Sequence, residues 1–331
     1  MNITHILFAI TLVCVFAITA LFTRMIIPKL KSMKLGQTIL EIGPRWHKNK
    51  EGTPTMGGLA FIAATLLVIA AMIFPIIKFT DNGIPVKLII TVIFAVLNGA
   101  IGIIDDMTKF KNHRNEGLTA AQKYLLQLLV SGLYLGAMSY VGAITTKLHI
   151  PFTDISIELG FVYYIFAIIL LTGIINSVNL TDGLDGLASS VTMTASAALA
   201  VLAFFAANLE SAVLSAALIG SCLGFLTYNF YPARIFMGDT GSLFLGSAIC
   251  GTAFILGDPA IILIIGIIYV IESLSVMIQV TSFKLTGKRV FKMSPIHHHF
   301  EKCGWSEIKI VSVFSLITAL FSALAVILTV I

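Results

Sequence analysis

Five aspartates, Asp105, Asp106, Asp182, Asp185 and Asp239, stand at the edges of long apolar runs. A carboxylate at the lip of a hydrocarbon slab is costly to desolvate, so such residues are functional candidates by default. Carboxylate oxygens are the ligands that hard divalent cations take, and such cations in turn hold phosphate oxygens. Groups able to assist lie nearby in the chain: Lys109 follows Asp105 by four residues, Asn179 precedes Asp182 by three, and His297, His298 and His299 form one run.

Each segment has a chemical reading and a plainer one. Neighbouring helical residues are rotated about 100° apart, so Asp105 and Asp106 cannot face one way. One of them meets a metal or phosphate while the other orients it or takes a proton. The plainer reading is a solvated helix end, but acids there oppose the helix dipole, where Lys or Arg is the natural cap. Lys109 fills the last place of an Asp-Asp-x-x-Asp pattern, which excludes the prenyl synthase motif.

Asp182-Gly183 and Asp185-Gly186 put two carboxylates and two flexible turns between two apolar runs. Glycine there lets backbone amides approach a ligand closely. The loop is too short for an EF-hand and lacks its closing Glu. Further on, Tyr228 and Asn229 lead through Phe236 into Gly238-Asp239-Thr240-Gly241-Ser242, which opens a helix. Free amides at such a start favour a phosphate. Asp239 reads either as the helix N-cap or as a metal ligand, and Phe236 as a stacking ring or a buried loop aromatic.

The three histidines suit phosphate donation or metal ligation. Consecutive residues cannot all reach one ion, so one or two of them belong to a site. Lys48 and Lys50 precede a glycine-rich turn, Gly52 to Gly58, that includes Thr55 and lacks the ending of a Walker loop. Glu272 and Gln279 fall within an apolar run, where Glu272 should face protein or water.

The elements that must position these groups are membrane helices. The chain has 331 residues, 58% hydrophobic and 11% charged, with mean hydropathy +1.00. Soluble domains carry about 25% charged residues, and a membrane-crossing helix needs about 20 mostly apolar ones. The sequence predicts an all-α polytopic membrane protein of ten spans, near 3–23, 56–77, 87–104, 123–144, 159–178, 187–207, 211–230, 241–257, 260–283 and 307–331. No room remains for a second domain, so residues 1–331 read as one. With both termini outside, 18 of the 21 Lys and Arg residues fall in or beside five inner loops, leaving Lys78, Lys87 and Lys147 elsewhere. That is the positive-inside pattern. It accounts for the basic balance without nucleic acid as a partner.

Arg24, Lys29, Lys31 and Lys34 follow the first run and no basic residue precedes it, the reverse of a signal peptide. Cys14, Cys222, Cys250 and Cys303 form no spaced framework, so neither disulfides nor a zinc site is expected. Between 146 and 159, apolar residues alternate around Thr153-Asp154, which predicts a small external β-hairpin.

Taken in order, Gly52–Gly58, Asp105-Asp106 with Lys109, Asn176–Ala188, Phe236–Ser242 and Pro295–Glu301 closely resemble the phospho-N-acetylmuramoyl-pentapeptide transferase family across nearly the whole chain. The histidine segment separates this branch from relatives that transfer N-acetylglucosamine phosphate. The resemblance implies transfer of phospho-MurNAc-pentapeptide from UDP-MurNAc-pentapeptide to undecaprenyl phosphate, giving lipid I and UMP, in the first membrane step of peptidoglycan synthesis. It implies Mg²⁺ as cofactor, a homodimer, and a bacterial cytoplasmic membrane with the site facing the cytoplasm. Carried onto this sequence, it implies that Asp239 is the metal ligand. It also implies that Asp105 orients or deprotonates the acceptor phosphate with Asp106 in support, and that Lys109 and Lys123 hold phosphate charge. Lys50, Thr55, Asn179, Asp182, Asp185, Asn229 and Phe236 would form the nucleotide pocket, with His298 and His299 on the diphosphate or sugar. Two other functions compete. One is a UDP-N-acetylglucosamine transferase acting on a polyprenyl phosphate. The other is an ion-coupled transporter, which would scatter acids through the midplane.

Overall fold

A chain segment in hydrocarbon must satisfy its own backbone, and the long apolar runs do so as helices. The computed structural model describes residues 3–33, 50, 52–80, 83–111, 117–153 and 155–330, so that Lys34, Lys48 and Asp154 lie outside the described residues. Ten long helices are present: α1 (Ile3–Ser32), α2 (Gly58–Phe79), α3 (Val86–Lys111), α4 (Ala120–Tyr140), α5 (Phe161–Thr181), α6 (Leu187–Phe205), α7 (Leu209–Asn229), α8 (Gly238–Leu256), α10 (Ile267–Thr286) and α12 (Glu307–Val330). Between them lie the short α9 (Ile262–Ile265) and α11 (Ile296–Lys302).

Nine of the described helices are long and apolar enough to cross a membrane. The exception among the long ones is α4, which has the length at 21 residues but carries Gln122, Lys123 and Gln127 in its first half. Its start is fixed by a capping box, in which the Thr119 hydroxyl accepts from the Gln122 amide and the Gln122 side chain accepts from the Thr119 amide. The continuous span expected over 260–283 is broken: a 3-10 turn and α9 end at Gly266, and α10 starts afresh at Ile267. Inside the loop expected over 284–306, the histidine run is helical, forming α11.

Strand β1 (Lys147–His149) pairs antiparallel with β2 (Ser156–Glu158), Leu148 opposite Ile157, which is the hairpin expected there.

At the centre stands α8, with 89% of its apolar window buried, packed against α3 and α5; α7 packs on α1 and α6. Outer helices α1 and α10 bury only 28% of theirs. Two close approaches set the end of the bundle that matters. A Cβ on Gly102 of α3 would lie 2.2 Å from the Asp239 carbonyl, and one on Gly58 of α2 would lie 2.3 Å from the Gly241 Cα. Only hydrogen fits at either place, so α2 and α3 both close onto the first turn of α8. The segment before α2 is tied to the same turn through its backbone: Phe236 donates to the Pro54 carbonyl at 2.8 Å, Gly57 to Phe236 at 2.8 Å and Gly58 to Met237 at 3.0 Å.

Candidate active site

Where α3 ends against the start of α8, three carboxylates meet. Asp105, Asp106 and Asp239 each offer an oxygen, and these three lie within 4.8 Å of one another. Asp105 and Asp106 are only 3% and 6% exposed. As the helix rotation requires, the two neighbours face different partners. Asp105 accepts from the Leu118 amide at 2.8 Å through Oδ1 and pairs with Lys109 Nζ at 2.7 Å through Oδ2. Asp106 turns toward α8, accepting from the Asp239 amide at 3.2 Å, the Thr240 amide at 3.0 Å and the Thr240 hydroxyl at 2.8 Å.

This arrangement corrects one expectation. The amides at the start of α8 looked free for a phosphate, and Asp239 looked able to cap its own helix. Instead Asp106 takes two of those amides from another helix, and its negative charge suits the positive end of the dipole. The Asp239 side chain is thereby released to face the site. Lys109 and Lys123 reach its Oδ2 at 2.9 and 2.8 Å, and Asn179 donates to its Oδ1 at 2.7 Å. Asn179 also donates to the Ser242 hydroxyl at 2.8 Å, and Lys123 to the Asn179 side-chain oxygen at 3.4 Å. Asn179 therefore touches the carboxylate centre rather than standing apart in a nucleotide pocket. Three carboxylates and two ammonium groups leave one negative charge uncompensated.

A second cluster joins the two Asp-Gly turns to distant elements. Lys50 pairs with Asp185 at 2.7 Å and with Glu307, at the start of α12, at 2.6 Å. Glu307 also accepts from the Asp185 amide at 3.1 Å, and Asp185 accepts from the Ala233 amide at 2.9 Å. Asp182 has no hydrogen-bond or ion-pair partner among the described residues. Burial raises its carboxyl well above the usual range, with the charges of Asp239, Asp106 and Asp185 adding to the effect.

The remaining candidates divide. Thr55 borders the cluster, since its hydroxyl lies 2.8 Å from where a Cβ on Gly238 would stand. Phe236 is half-buried, held by the backbone bonds described above. Asn229 is buried and its side chain donates to the Ile235 carbonyl at 2.9 Å, bracing the turn before α8. His298 bonds to Glu301 at 2.6 Å, while His299 accepts from the Lys292 amide at 3.1 Å and touches Cys303. The histidine nearest the Asp182 turn is His297, whose Nε2 fills the space a side chain at Gly183 would need. Its Nδ1 lies 3.0 Å from Glu272, which is fully buried and, as expected, faces protein. The opposite atoms of this pair, His297 Nε2 and Glu272 Oε2, have no hydrogen-bond partner among the described residues.

Sequence reasoning missed Glu307, Thr240 and the role of Glu272. An acid opening an apolar helix is the sole signal Glu307 gives, and a cap of its own helix explains that equally well. Thr240 sits in the Gly-Asp-Thr-Gly-Ser motif, but its service to Asp106 depends on a contact between residues 134 apart.

Comparison with known proteins places this geometry. The family model described as glycosyl transferase family 4 matches residues 88–257, and phospho-N-acetylmuramoyl-pentapeptide-transferase signature 1 matches residues 50–62. A phospho-N-acetylmuramoyl-pentapeptide-transferase of Clostridium perfringens (strain 13 / Type A) is 47% identical over 312 residues, covering 94% of this chain and 95% of the relative. One of Clostridium botulinum (strain Eklund 17B / Type B) is 48% identical over 308 residues, covering 92% and 90%. One of Halalkalibacterium halodurans is 44% identical over 317 residues, covering 96% of each. At that identity over almost the full length, the chain belongs to the phospho-N-acetylmuramoyl-pentapeptide transferase family.

Proposed function

We propose that this protein transfers phospho-MurNAc-pentapeptide from its UDP carrier to undecaprenyl phosphate, releasing UMP and leaving lipid I. One observation carries the reading beyond family membership: three carboxylates and two lysines converge at one end of a bundle of apolar helices. A water-soluble nucleotide and a lipid phosphate can meet there. In the same reading the protein is a single transmembrane domain of ten spans, α4 included, in the bacterial cytoplasmic membrane. Its termini and hairpin lie outside, its site faces the cytoplasm, and it works as a homodimer.

The acceptor phosphate oxygen attacks the sugar-linked phosphorus, the new P–O–P bond forms, and the bond to the bridging oxygen of UMP breaks. An alkyl phosphate has its second pKa near 6, so the nucleophile is already largely ionised and needs orientation more than a base. Asp105 orients it in this scheme, and Asp106 holds the first turn of α8 so that Asp239 stays aimed. Lys109 and Lys123 compensate the charge that gathers on the phosphoryl oxygens, the main catalytic term in such transfers. Asp182, Asp185 and Lys50, with Thr55 and Phe236, bind the nucleotide end, and His298 and His299 lie toward the sugar and diphosphate.

The donor set fits Mg²⁺: three carboxylates supply only oxygen ligands, and they outnumber the two lysines paired with them. Asp239, with Asp105 and Asp106 beside it, would hold the ion. When bound, Mg²⁺ would supply positive charge against the diphosphate.

UMP release by detergent-solubilised protein with Mg²⁺ and undecaprenyl phosphate tests the proposal. Release with UDP-MurNAc-pentapeptide, absent with EDTA, is expected. Release with UDP-N-acetylglucosamine instead would move the protein to the sister branch, and no release from folded protein with either would end the transferase reading.

A further inference from the structure

Away from the carboxylates, a cavity of about 400 Å³ is lined by Arg24, Ile27, Tyr228 and Arg234. Its two guanidinium groups come from residues 210 apart in sequence, one on α1 and one on the turn between α7 and α8. They are brought together because α1 packs along α7. Arg234 is fixed in that turn by its amide, which donates to the Tyr228 carbonyl at 2.8 Å. Among the described residues, neither arginine side chain has an ion-pair partner and no carboxylate lines the cavity. Of the described acids at this end of the bundle, Asp105, Asp106 and Asp239 are engaged with Lys109 and Lys123, Asp185 and Glu307 with Lys50, and Glu301 with His298, while Asp182 is not among the described residues that line the cavity.

Two like charges facing one cavity repel each other, and a shared anion resolves that repulsion. Guanidinium is the group best shaped for a phosphate, which it grips with two parallel N–H donors. Depth narrows the choice of anion. Arg24 lies 21 residues after Ile3 on α1, or about 32 Å along the axis at 1.5 Å per residue. That is just beyond a hydrocarbon thickness of about 30 Å, the level at which phospholipid phosphates lie. Arg24 and Arg234 are themselves exposed, so the cavity is open to its surroundings, and Ile27 gives it an apolar wall on the α1 side. Basic pockets between membrane helices at this depth are suited to anionic headgroups.

We propose that Arg24, Arg234 and Tyr228 form a binding site for the phosphodiester headgroup of an anionic phospholipid, separate from the carboxylate centre. Arg24 and Arg234 clamp the phosphate, the Tyr228 hydroxyl is placed for a headgroup oxygen, and the acyl chains run down the lipid-facing side of α1. The site takes no part in the chemistry; it anchors the inner end of α1 to the turn that leads into α8.

Native mass spectrometry of the full chain, released from zwitterionic phosphatidylcholine and titrated with phosphatidylglycerol, reads the site directly. Wild type should retain phosphatidylglycerol over phosphatidylcholine, and Arg24→Gln with Arg234→Gln should weaken that retention by about tenfold per arginine. UMP release measured in phosphatidylcholine should be the same for both proteins, which shows the variant folded. Should the double Gln variant not fold, Arg24→Lys with Arg234→Lys keeps the charge, loses the planar fork and should weaken retention by a smaller factor. Equal retention by wild type and variants would overturn the proposal, as would equal retention of the two lipids. Displacement of phosphatidylglycerol by equimolar inorganic phosphate would overturn it in favour of a free-phosphate site. Displacement by undecaprenyl phosphate or by the nucleotide substrate would reassign the cavity to the reaction.

Discussion

The carboxylate centre and the Asp182 turn lie side by side and are built on opposite principles. Every carboxylate oxygen of Asp105, Asp106 and Asp239 has a partner among Leu118, Lys109, Asp239, Thr240, Asn179 and Lys123. Across the turn, among the described residues, His297 Nε2 and Glu272 Oε2 are buried with none, and the half-buried Asp182 carboxyl has none either. A buried polar group left without a partner costs about 1–3 kcal/mol, so the second region bears a cost that the first has avoided. In the proposed function the difference separates two tasks. Charge compensation must be in place before the reaction starts, because reorganising it during the reaction would add to the barrier. Substrate recognition benefits from groups that stay unsatisfied until the ligand arrives.

Four measurements would break or sharpen that contrast. Asp239→Asn removes the carboxylate on which both lysines and Asn179 converge. UMP release should fall by about 10³-fold, in the range of a lost oxyanion donor, and a fall of less than tenfold would show that the centre is not organised around this residue. Lys50→Met leaves Asp185 and Glu307 facing each other with no cation between them, at a cost of about 3 kcal/mol. Thermal unfolding should register the loss, and the KM for the nucleotide should rise far more than kcat falls. Gly102→Ala pushes a methyl into the Asp239 carbonyl without touching a charge. It should cost about 1–3 kcal/mol of stability, as overpacking does, and lower kcat while leaving nucleotide affinity nearly unchanged, because the distortion falls on the carboxylate side.

Asp182→Asn has the smallest effect and the most specific sign. The native carboxyl titrates above its ordinary value of 3.8, so the folded state loses stability as pH rises through that value toward the raised one. Asparagine does not titrate. The variant's gain in melting temperature should therefore vanish below about pH 3.8 and be complete once the native carboxyl has ionised. Substrate affinity should fall at the same time. A gain that shrinks with rising pH would contradict the assigned direction.

Much of this arrangement was legible in the chain, for identifiable reasons. Asp105, Asp106 and Asp239 stand where apolar runs stop, and membrane geometry brings such edges to one end of a bundle. What went unread depends on contacts made far along the chain. Nothing near Lys50 announces Glu307, because the two are 257 residues apart. The break at Gly266 was hidden because isoleucines on both sides make the run look continuous. Asn229 stood inside a chemically suggestive motif, yet its amide braces a turn. Its type suits both tasks, and only the position of the Ile235 carbonyl reveals the bracing one.

The link between Asp106 and the first turn of α8 also sets a timetable for assembly. Those residues are 133 positions apart, so at 5–20 residues per second α3 waits roughly 7–27 s for its partner during synthesis. Through that interval Asp105 can be neutralised locally by Lys109, its neighbour at i+4 on the same helix. Asp106 has only a looser hold on the same lysine until α8 arrives, since Lys109 stands 3.8 Å from it even in the finished fold. The nascent chain thus carries one poorly shielded acid at the membrane edge through the insertion of five helices. Docking of α8 closes the carboxylate centre and removes that burden in the same event, so an intermediate stalled before α8 has neither an assembled site nor a settled third helix.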